Sequence, residues 1–501
     1  MRRLISALLA LMMLAPVLAA CSDDPALPAD DSTADAAAET TVPVETAPAE
    51  TARADAKDNL PEDMNLGGKS IGILFISAAR KNDFDGGGEE TGDTVNDAVL
   101  QRTRNVEERL NFTFELTEIA GKWSEFGKQM EQNIMAGDDL WQMVITPGNA
   151  SIGSGRDYLF QDLSNNKYID PSQPWWWEEP IREMSLDGKK IRYLIGDICL
   201  SNYTTTGAMY FNKNLLIDNN YNPDELYQMV IDRKWTYDKL QEMSASMYDD
   251  LNGDGQVNAG DTYGLVVINV ELIRHMEFTG NVRHYSRDEN GYPYLDYDKE
   301  RTVLLIDTLN RLLYETKGNE YRDASIEYTT FAGGSAAFYA GRLSYATTAA
   351  FREMEDDYGI IPYPMLDLEQ GEYNTLIHSS NRYVTVPITC KTPDEAGAVI
   401  EAMCSESYRV VVEPFFESAL KMKYARDSYS GQCIDIIRDT ARKYFVNDYN
   451  AVVKGGTMIT DQVKKNQNTF ASAYAAQKEA TDKNIQNLVE KYIKADADLA
   501  G

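Results

Sequence analysis

Residues 69–146 alternate between two kinds of hydrophobic pattern, and this alternation restricts the fold more than any other feature. Short apolar or alternating runs predict strands, and longer runs with apolar residues on one helical face predict helices. The predicted strands are residues 69–76, 111–119 and 141–146, and the predicted helices are residues 94–110 and 123–135. Helices between consecutive strands favour a parallel sheet with helices on its faces. Because ligands bind beyond the carboxyl ends of such strands, we expect a site in the loops after Ile76, Ile119 and Thr146.

The first twenty residues are typical of a secretory signal peptide. Two arginines precede an apolar run, and small residues lead up to Cys21. The ending Leu18-Ala19-Ala20-Cys21 resembles a bacterial lipobox. That resemblance implies that cleavage leaves Cys21 at the N-terminus and that this cysteine carries lipid, whereas the alternative is an ordinary signal with an incidental cysteine. We therefore expect an extracytoplasmic protein that is lipid-anchored to the outer face of the cell membrane.

Residues 21–66 are dominated by Ala, Asp, Glu, Thr and Pro and have few large apolar side chains. Such a composition cannot bury a core, so we predict a disordered acidic tether. The formal net charge of −31 argues against nucleic-acid binding, which needs a basic surface. The remaining residues are numerous enough for two or more lobes.

Residues 250–261 (Asp-Leu-Asn-Gly-Asp-Gly-Gln-Val-Asn-Ala-Gly-Asp) match the pattern of a calcium loop. The expected ligands are the side chains of Asp250, Asn252, Asp254 and Asp261 and the backbone carbonyl of Gln256. A sensor loop has Glu where Asp261 stands, and this loop joins a predicted helix to a predicted strand rather than to a second helix. We therefore predict a structural Ca²⁺ ion. The alternative is an Asp-, Asn- and Gly-rich turn that holds no metal.

The cysteines and histidines indicate no catalytic or zinc site. Cys199, Cys390, Cys404 and Cys433 form no Cys-x-x-Cys pair, and buried thiols and disulfides are both compatible with their spacing. The three histidines lack the spacing of metal ligands, so each is expected on the surface or in the core. The sequence contains neither a Gly-x-Ser-x-Gly nor a His-Glu-x-x-His motif, and we predict that the protein is not an enzyme.

A series of segments resembles the bacterial extracellular solute-binding proteins (family 1 type) of sugar ABC importers, the group that contains maltodextrin-binding proteins. The segments are Pro174-Trp175-Trp176, Tyr210-Phe211-Asn212-Lys213, Trp235-Thr236-Tyr237-Asp238-Lys239-Leu240, Phe331-Ala332-Gly333-Gly334-Ser335-Ala336-Ala337-Phe338, Asp357-Tyr358-Gly359-Ile360-Ile361-Pro362-Tyr363-Pro364 and Pro393-Asp394-Glu395-Ala396-Gly397. The resemblance implies an α/β, two-lobed periplasmic-binding-protein-like (type II) fold with a hinge and an interlobe cleft. By the same analogy, lobe 1 takes residues 67–161 and about 381–417, and lobe 2 takes about 162–380 and 418–501.

The chemistry of a sugar site supports this resemblance. A pyranose has apolar C–H faces, on which aromatic rings stack, and a rim of hydroxyls, which planar polar groups bind. The expected ligand-binding residues are Trp175, Trp176, Trp177, Tyr203 and Tyr345 for stacking and Thr206, Ser380 and Asn381 for hydrogen bonding. Core packing is the alternative for each aromatic residue, and three adjacent tryptophans cannot all point the same way.

The expected function is that of the substrate-binding lipoprotein of an ABC importer. It would capture a carbohydrate, preferably an oligosaccharide, in the cleft and deliver it to permease subunits in the membrane. We expect a monomer whose partners are the sugar, the permease and, through Cys21, the membrane. A secreted glycan-binding lipoprotein or a glycoside hydrolase that is not coupled to a transporter is the alternative.

Overall fold

The strands predicted in residues 69–146 form a parallel arrangement in the computed structural model, which describes residues 53–322, 329–416 and 428–500. The strand β1 pairs in parallel with β2 on one side and with β3 on the other, which confirms the prediction from the alternating patterns. The strands are β1 Lys69–Ile76, β2 Phe112–Ile119, β3 Met143–Pro147, β4 Gly207–Asn212, β5 Tyr263–Ile268, β6 Tyr285–Arg287, β7 Pro293–Leu295, β8 Asn319–Arg322, β9 Ala336–Arg342, β10 Tyr358–Ile361, β11 Thr375–Leu376, β12 Arg382–Thr385 and β13 Ala441–Arg442.

The helices predicted at residues 94–110 and 123–135 are present, and side-chain caps mark the starts of two further helices. Asn222 and Thr236 accept backbone N–H bonds at two helix starts, and Pro223 takes the first helical position. The α-helices are α1 Thr94–Leu110, α2 Trp123–Met135, α3 Glu178–Glu183, α4 Ser201–Thr204, α5 Lys213–Asp218, α6 Pro223–Ile231, α7 Tyr237–Ser246, α8 Val270–Thr279, α9 Lys299–Asn310, α10 Thr329–Ala332, α11 Ala349–Arg352, α12 Pro393–Val410, α13 Val412–Pro414, α14 Ser428–Asp439, α15 Phe445–Asp448, α16 Asn450–Val453, α17 Met458–Lys464 and α18 Phe470–Ala500. Across the described ranges, no helix has both the length and the apolar character needed to cross a membrane.

Two sheets organise the described residues. The first has the strand order β12-β3-β1-β2, in which β12 alone is antiparallel to its neighbour. The second has the order β10-β4-β9-β5-β8, with parallel pairing of β5 to β8 and β9 and antiparallel pairing at β4. The first sheet therefore takes its strands from segments that were assigned to lobe 1, and the second from segments assigned to lobe 2. The lobe boundaries themselves stay a prediction.

Alternating residues of β4 show how the second sheet is buried on both faces. Met209 and Phe211 pack into one hydrophobic cluster, and Ala208 and Tyr210 pack into another on the opposite face. The first sheet has its own cluster, which also includes Trp175, Trp176 and other residues of the 159–199 region. All of these described residues belong to the unit formed by residues 49–501.

The predicted tether needs one correction at its end. Residues 53–66 are described and packed: Leu60 and Leu66 are buried in the core of the first sheet. The carboxylate of Asp58 accepts hydrogen bonds from Arg109 at 2.6 and 2.7 Å and from Ser405 at 2.7 Å. Two leucines and one paired carboxylate are enough to hold this segment, although its average composition is polar. The signal peptide, Cys21 and the rest of the tether lie outside the described residues.

The cysteines follow one of the two alternatives left open by the sequence. Cys199, Cys390, Cys404 and Cys433 are buried, and no disulfide joins any two of them. Burial raises the pKa of the Cys199 and Cys404 thiols, so both are inert protonated side chains at neutral pH. They act as small apolar residues of the core.

Candidate functional site

Residues 377–382 connect the ends of the two sheets. At one end of this segment, Ile377 forms a β-bridge with Thr206, which immediately precedes β4. At the other end, Arg382 pairs with Pro147, the last residue of β3. The backbone N–H of Gly148, just after β3, donates to the carbonyl of Asn381 at 3.0 Å. The segment therefore lies beyond the carboxyl end of β3, where ligands gather in sheets of this kind.

His378 forms the polar centre of this region. Its Nε2 lies 3.0 Å from Oε2 of Glu271, in the first turn of α8, and its Nδ1 lies 2.8 Å from Oγ of Ser380. The backbone N–H of Ser380 also donates to Nδ1, so Nδ1 is an acceptor and Nε2 carries the proton. Although burial alone would raise it, the hydrogen bond from His378 and the charge of Arg274 lower the pKa of Glu271 to about 2. Burial lowers the pKa of His378, and a neutral ring thus donates to an ionised carboxylate.

Lys443 fixes the same segment through hydrogen bonds. Its ammonium donates to Oδ1 of Asn381 and to the carbonyl of Ile377, each at 3.0 Å, and to Asp448 at 2.8 Å. Three acceptors in fixed directions satisfy the three N–H bonds of the ammonium group. The position of residues 377–382 is therefore fixed by a cation on the β13–α15 connection as well as by the two sheets.

Four of the predicted ligand-binding residues come together here. Ser380 and Asn381 lie on the connecting segment, and Thr206 accepts a backbone bond from Leu343 at 2.9 Å. Tyr345 follows β9 by three residues and packs against Tyr339 and Phe351. Ser380 is partly exposed, whereas the other three side chains are buried. Their part in ligand binding stays a prediction.

Trp175 and Trp176 lie elsewhere, in the core of the first sheet. Their indole N–H groups donate to the two oxygens of one carboxylate, Glu401 of α12, both at 2.8 Å. Trp175 is fully buried and Trp176 is 5% exposed, so neither ring presents a free face in this conformation. Both rings pack in the core in this conformation, which was the alternative for each aromatic residue in the sequence analysis, and their part in ligand binding stays a prediction.

Trp177 and Tyr203 meet at a third place. Both donate to Oδ1 of Asp197, at 3.0 and 2.5 Å, and their rings make an edge contact with centroids 4.8 Å apart. They line a cavity of about 340 Å³. A neighbouring cavity of about 620 Å³ shares Glu179 and Arg442 with it. We refer to the two cavities together as the α3 groove, after the helix that contributes Glu179.

The α3 groove and the region around His378 share Lys443, which lines the larger cavity and bonds Ile377 and Asn381, but their other residues differ. The larger cavity is lined by residues 281–287, which follow the end of α8, whereas Glu271 lies in the first turn of that helix. Ten helical residues extend about 15 Å. The predicted ligand-binding residues lie in three places: near His378, beside Glu401 in the core of the first sheet, and in the α3 groove.

The sequence analysis assigned no role to Glu271, Arg274, Arg342 or His378. The positions of three of them contained a usable signal, because Glu271 and Arg274 follow β5 and Arg342 ends β9. The expectation that sites form after strands was applied only to the first three strands. His378 carried no such signal, because the strand before it, Thr375–Leu376, has only two residues and is too short to be recognised from a periodic pattern.

The predicted calcium loop joins α7 to β5, as expected. Asp250 accepts the backbone N–H groups of Gly253 and Gly255 at 2.7 and 2.8 Å. Oδ1 of the buried Asp261 has no hydrogen-bond partner within the described ranges, and such an oxygen fits the last ligand of a calcium ion. In the part of the chain that the structure describes, however, no three His, Cys, Asp or Glu side chains are grouped to hold a metal.

The amide of Asn258 makes two hydrogen bonds across that loop. Its Nδ2 donates to Asp254 at 2.7 Å, and its Oδ1 accepts from Asn252 at 2.9 Å. These bonds use oxygens that a cation would need, so a bound ion has to compete with this amide. Calcium binding stays a prediction.

The sequence matches no protein-family model and no curated protein. Solved structures share the fold. The cyclic α-maltosyl-1,6-maltose-binding protein from Arthrobacter globiformis superimposes with a TM-score of 0.54 at 11% identity, covering 84% of this chain and all of that one. The galacto-N-biose-/lacto-N-biose I-binding protein of a Bifidobacterium longum ABC transporter gives 0.53 at 13%, covering 84% and 98%.

An ABC transporter solute-binding protein from Thermotoga lettingae, bound with α-D-tagatose, gives a TM-score of 0.51 at 12% identity, covering 83% of this chain and all of that one. These likenesses confirm the predicted fold class, a two-lobed periplasmic-binding-protein-like α/β fold. At such identities they show the fold alone.

Proposed function

We propose that this protein is the substrate-binding lipoprotein of an ABC importer and captures a carbohydrate where the two sheets face each other. The observation that supports it most directly is the convergence of polar side chains on residues 377–382, between the end of β3 and the start of β4. His378, Ser380 and Glu271 there form one hydrogen-bonded group. Hydroxyl-rich ligands are recognised by such groups when these are held in fixed directions.

The shared fold supports the same proposal. The compared proteins from Arthrobacter, Bifidobacterium and Thermotoga are described with a cyclic maltosyl-maltose, lacto-N-biose and tagatose, respectively. A two-lobed fold with a site between its sheets suits capture and release without chemistry. Lipid on Cys21 would keep the protein near the permease, and the alternative of a glycan-binding lipoprotein without a transporter differs only in lacking that partner.

Calorimetric titration with a panel of mono- and oligosaccharides tests the proposal. We expect at least one saccharide to bind and to decrease the radius of gyration in solution scattering, because closure brings the lobes together. Binding of an amino acid or peptide, with no saccharide bound, would overturn it. Release of reducing sugar from any member of the panel would favour the hydrolase instead. The candidate general acid is then Glu183 in the α3 groove, because burial raises its pKa to about 7.

Ser380→Ala tests the place of the site. Removing one hydroxyl that bonds a sugar costs about 1 kcal/mol, so the affinity should fall about fivefold. Ser164→Ala, at an exposed position on a loop of the first sheet's side, is the matched control and should bind as the wild type does. Equal affinities of both variants would place the ligand away from residues 377–382.

A further inference from the structure

Three arginines surround the Glu271–His378 pair. Arg342 is the last residue of β9, Arg274 lies in α8, and Arg382 begins β12. The side chains of Arg274 and Arg382 are 15% and 13% exposed. The charges of Arg274 and Arg342 act on Glu271 and on His275, and that of Arg342 also reaches His378. Arg274 and Arg342 therefore lie close to this pair. Arg382 joins them because its guanidinium bonds the carbonyl of Ser380, two residues from His378.

These arginines have more hydrogen-bond donors than the described residues provide acceptors for them. In each one the Nε–H is buried and has no acceptor within the described residues. Arg274 uses Nη1 on Glu271 at 3.2 Å, and Arg382 uses Nη1 on the carbonyl of Ser380. The guanidinium of Arg342 finds neither a hydrogen-bond acceptor nor an ion-pair partner among the described residues. Its nearest aromatic neighbour is the ring of Tyr345, with a Cζ–centroid distance of 5.8 Å.

The local charge is positive, although the whole chain carries −31. Four cations (Arg274, Arg342, Arg382 and Lys443) face three carboxylates (Asp83, Glu271 and Asp448). Lys443 and Asp448 neutralise each other, and Asp83 lies 3.9 Å from Arg382. Glu271 is held by Arg274 and His378. One positive charge of this group is therefore left over, and Arg342 is the one arginine of the three that makes no ion pair with a described residue.

The Nε–H of the half-buried Arg342 is shielded from water, so it loses hydration that no acceptor among the described residues replaces. The hydroxyls of a neutral sugar can accept its hydrogen bonds but cannot balance its charge. A carboxylate does both, because its two oxygens match the planar guanidinium fork. We propose that the ligand is an acidic saccharide, and that Arg342 pairs with the carboxylate of a uronic-acid unit while Arg274 and Arg382 offer further donors to it. This inference rests on the proposed function and specifies its substrate class.

The experiment compares ligands that differ in charge alone. Uronic-acid di- and trisaccharides are titrated into the protein beside their methyl esters, which keep the sugar skeleton and remove the charge. Neutral trisaccharides, a sulfated disaccharide and a sugar phosphate complete the panel. We expect the free acid to bind at least tenfold more tightly than its ester, and the preference to shrink as salt rises from about 20 to about 300 mM.

Arg342→Gln should weaken binding of the acid about 10- to 100-fold and change binding of the ester little, because the lost bond is charge-assisted. Arg342→Lys keeps the positive charge but loses the planar fork, so its affinity for the acid should lie between those of the wild type and Arg342→Gln. Arg311→Gln is the control: it removes an arginine paired with Asp238 on the outside of the second sheet's body and should retain the preference. Melting curves show which variants are folded, and the salt dependence of the wild type tests the proposal without any variant.

The outcomes separate this inference from the proposed function. Equal affinities for acid and ester, or binding of neutral saccharides alone, would overturn the acidic class and leave the proposed function standing. A preference for the sulfated sugar or the sugar phosphate over every uronate would overturn the carboxylate. If no saccharide of any charge binds, both proposals are wrong.

Discussion

Lys443 and Asp448 form an ion pair from which solvent is excluded. The Nζ–Oδ1 distance is 2.8 Å, and the two side chains are 0% and 1% exposed. The same ammonium fixes Asn381 and the carbonyl of Ile377 on the segment that connects the sheets. The pair thus links the burial of charge to the geometry of the proposed binding site.

Removing either partner should strongly destabilise the fold. We expect Lys443→Met to lower the free energy of unfolding by about 3–5 kcal/mol, because Asp448 is then left as an uncompensated buried charge. The double variant Lys443→Met/Asp448→Leu should lose less than the sum of the two single variants. Urea denaturation measures all three. The matched control is Lys239→Met, which breaks an exposed pair with Glu242 at 2.7 Å and should cost under about 1 kcal/mol. Equal losses at the two pairs would contradict the argument.

Truncation of Trp175 and of Trp177 should change the free energy of unfolding by different amounts. Trp175→Ala removes a fully buried ring and should cost about 3–5 kcal/mol of unfolding free energy. Trp177→Ala removes a half-buried ring beside a cavity and should cost clearly less. Because Trp177 lies in the α3 groove, we expect its variant to keep its saccharide affinity within about twofold. A large loss of affinity in folded Trp177→Ala would instead show that Trp177 contacts the ligand, which is the role predicted for it from the sequence.

Glu401 should make stability depend on pH. Burial raises its pKa to about 7, against the two indole bonds that lower it. A carboxyl that holds its proton more tightly when folded contributes stability that is complete below the unfolded value of 4.5 and is lost as the pH rises through about 7. The stability of the wild type relative to Glu401→Gln should therefore fall by about 3 kcal/mol between pH 4.5 and 8. Urea denaturation at several pH values measures the difference, in which the titration of the other groups cancels. A difference that does not change with pH would show that Glu401 titrates normally.

Local patterns were sufficient for three of the four strands of the first sheet and for the helices between them. The hydrophobic period identified β1, β2 and β3 together with α1 and α2. These features depend on residues within a few positions of each other. The fold class, which needed the order of many such segments, was predicted from the family resemblance.

The site depends on pairs that are far apart in the sequence. Trp175 and Glu401 are 226 residues apart, and His378 and Glu271 are 107 apart. No periodicity relates such residues, because their contact follows from how the two sheets are placed. The expectation that the tryptophans contact the ligand has the same cause. A cluster of aromatic residues in the sequence does not show that a distant carboxylate, Glu401, accepts the indole N–H bonds of Trp175 and Trp176 in the core. Arg342 shows the reverse case: an arginine at a strand end becomes notable only in the structure, because no described residue forms an ion pair with it.

Calcium binding by residues 250–261 can be tested with one variant that should weaken it and one that should strengthen it. If the loop holds Ca²⁺, the ion should raise the unfolding free energy by about 2.7 kcal/mol at a hundredfold excess over its dissociation constant, and chelation should remove that gain. Asp250→Asn should abolish the effect, whereas Asp218→Asn, at an exposed position of the neighbouring α5, should not. Asn258→Asp should strengthen binding, because it adds a carboxylate and removes the amide donor that now bonds Asp254 at 2.7 Å. Melting curves with calcium and with chelator measure all four proteins. If wild type and Asn258→Asp both melt at the same temperature in the two conditions, the loop is a metal-free turn held by its own amides.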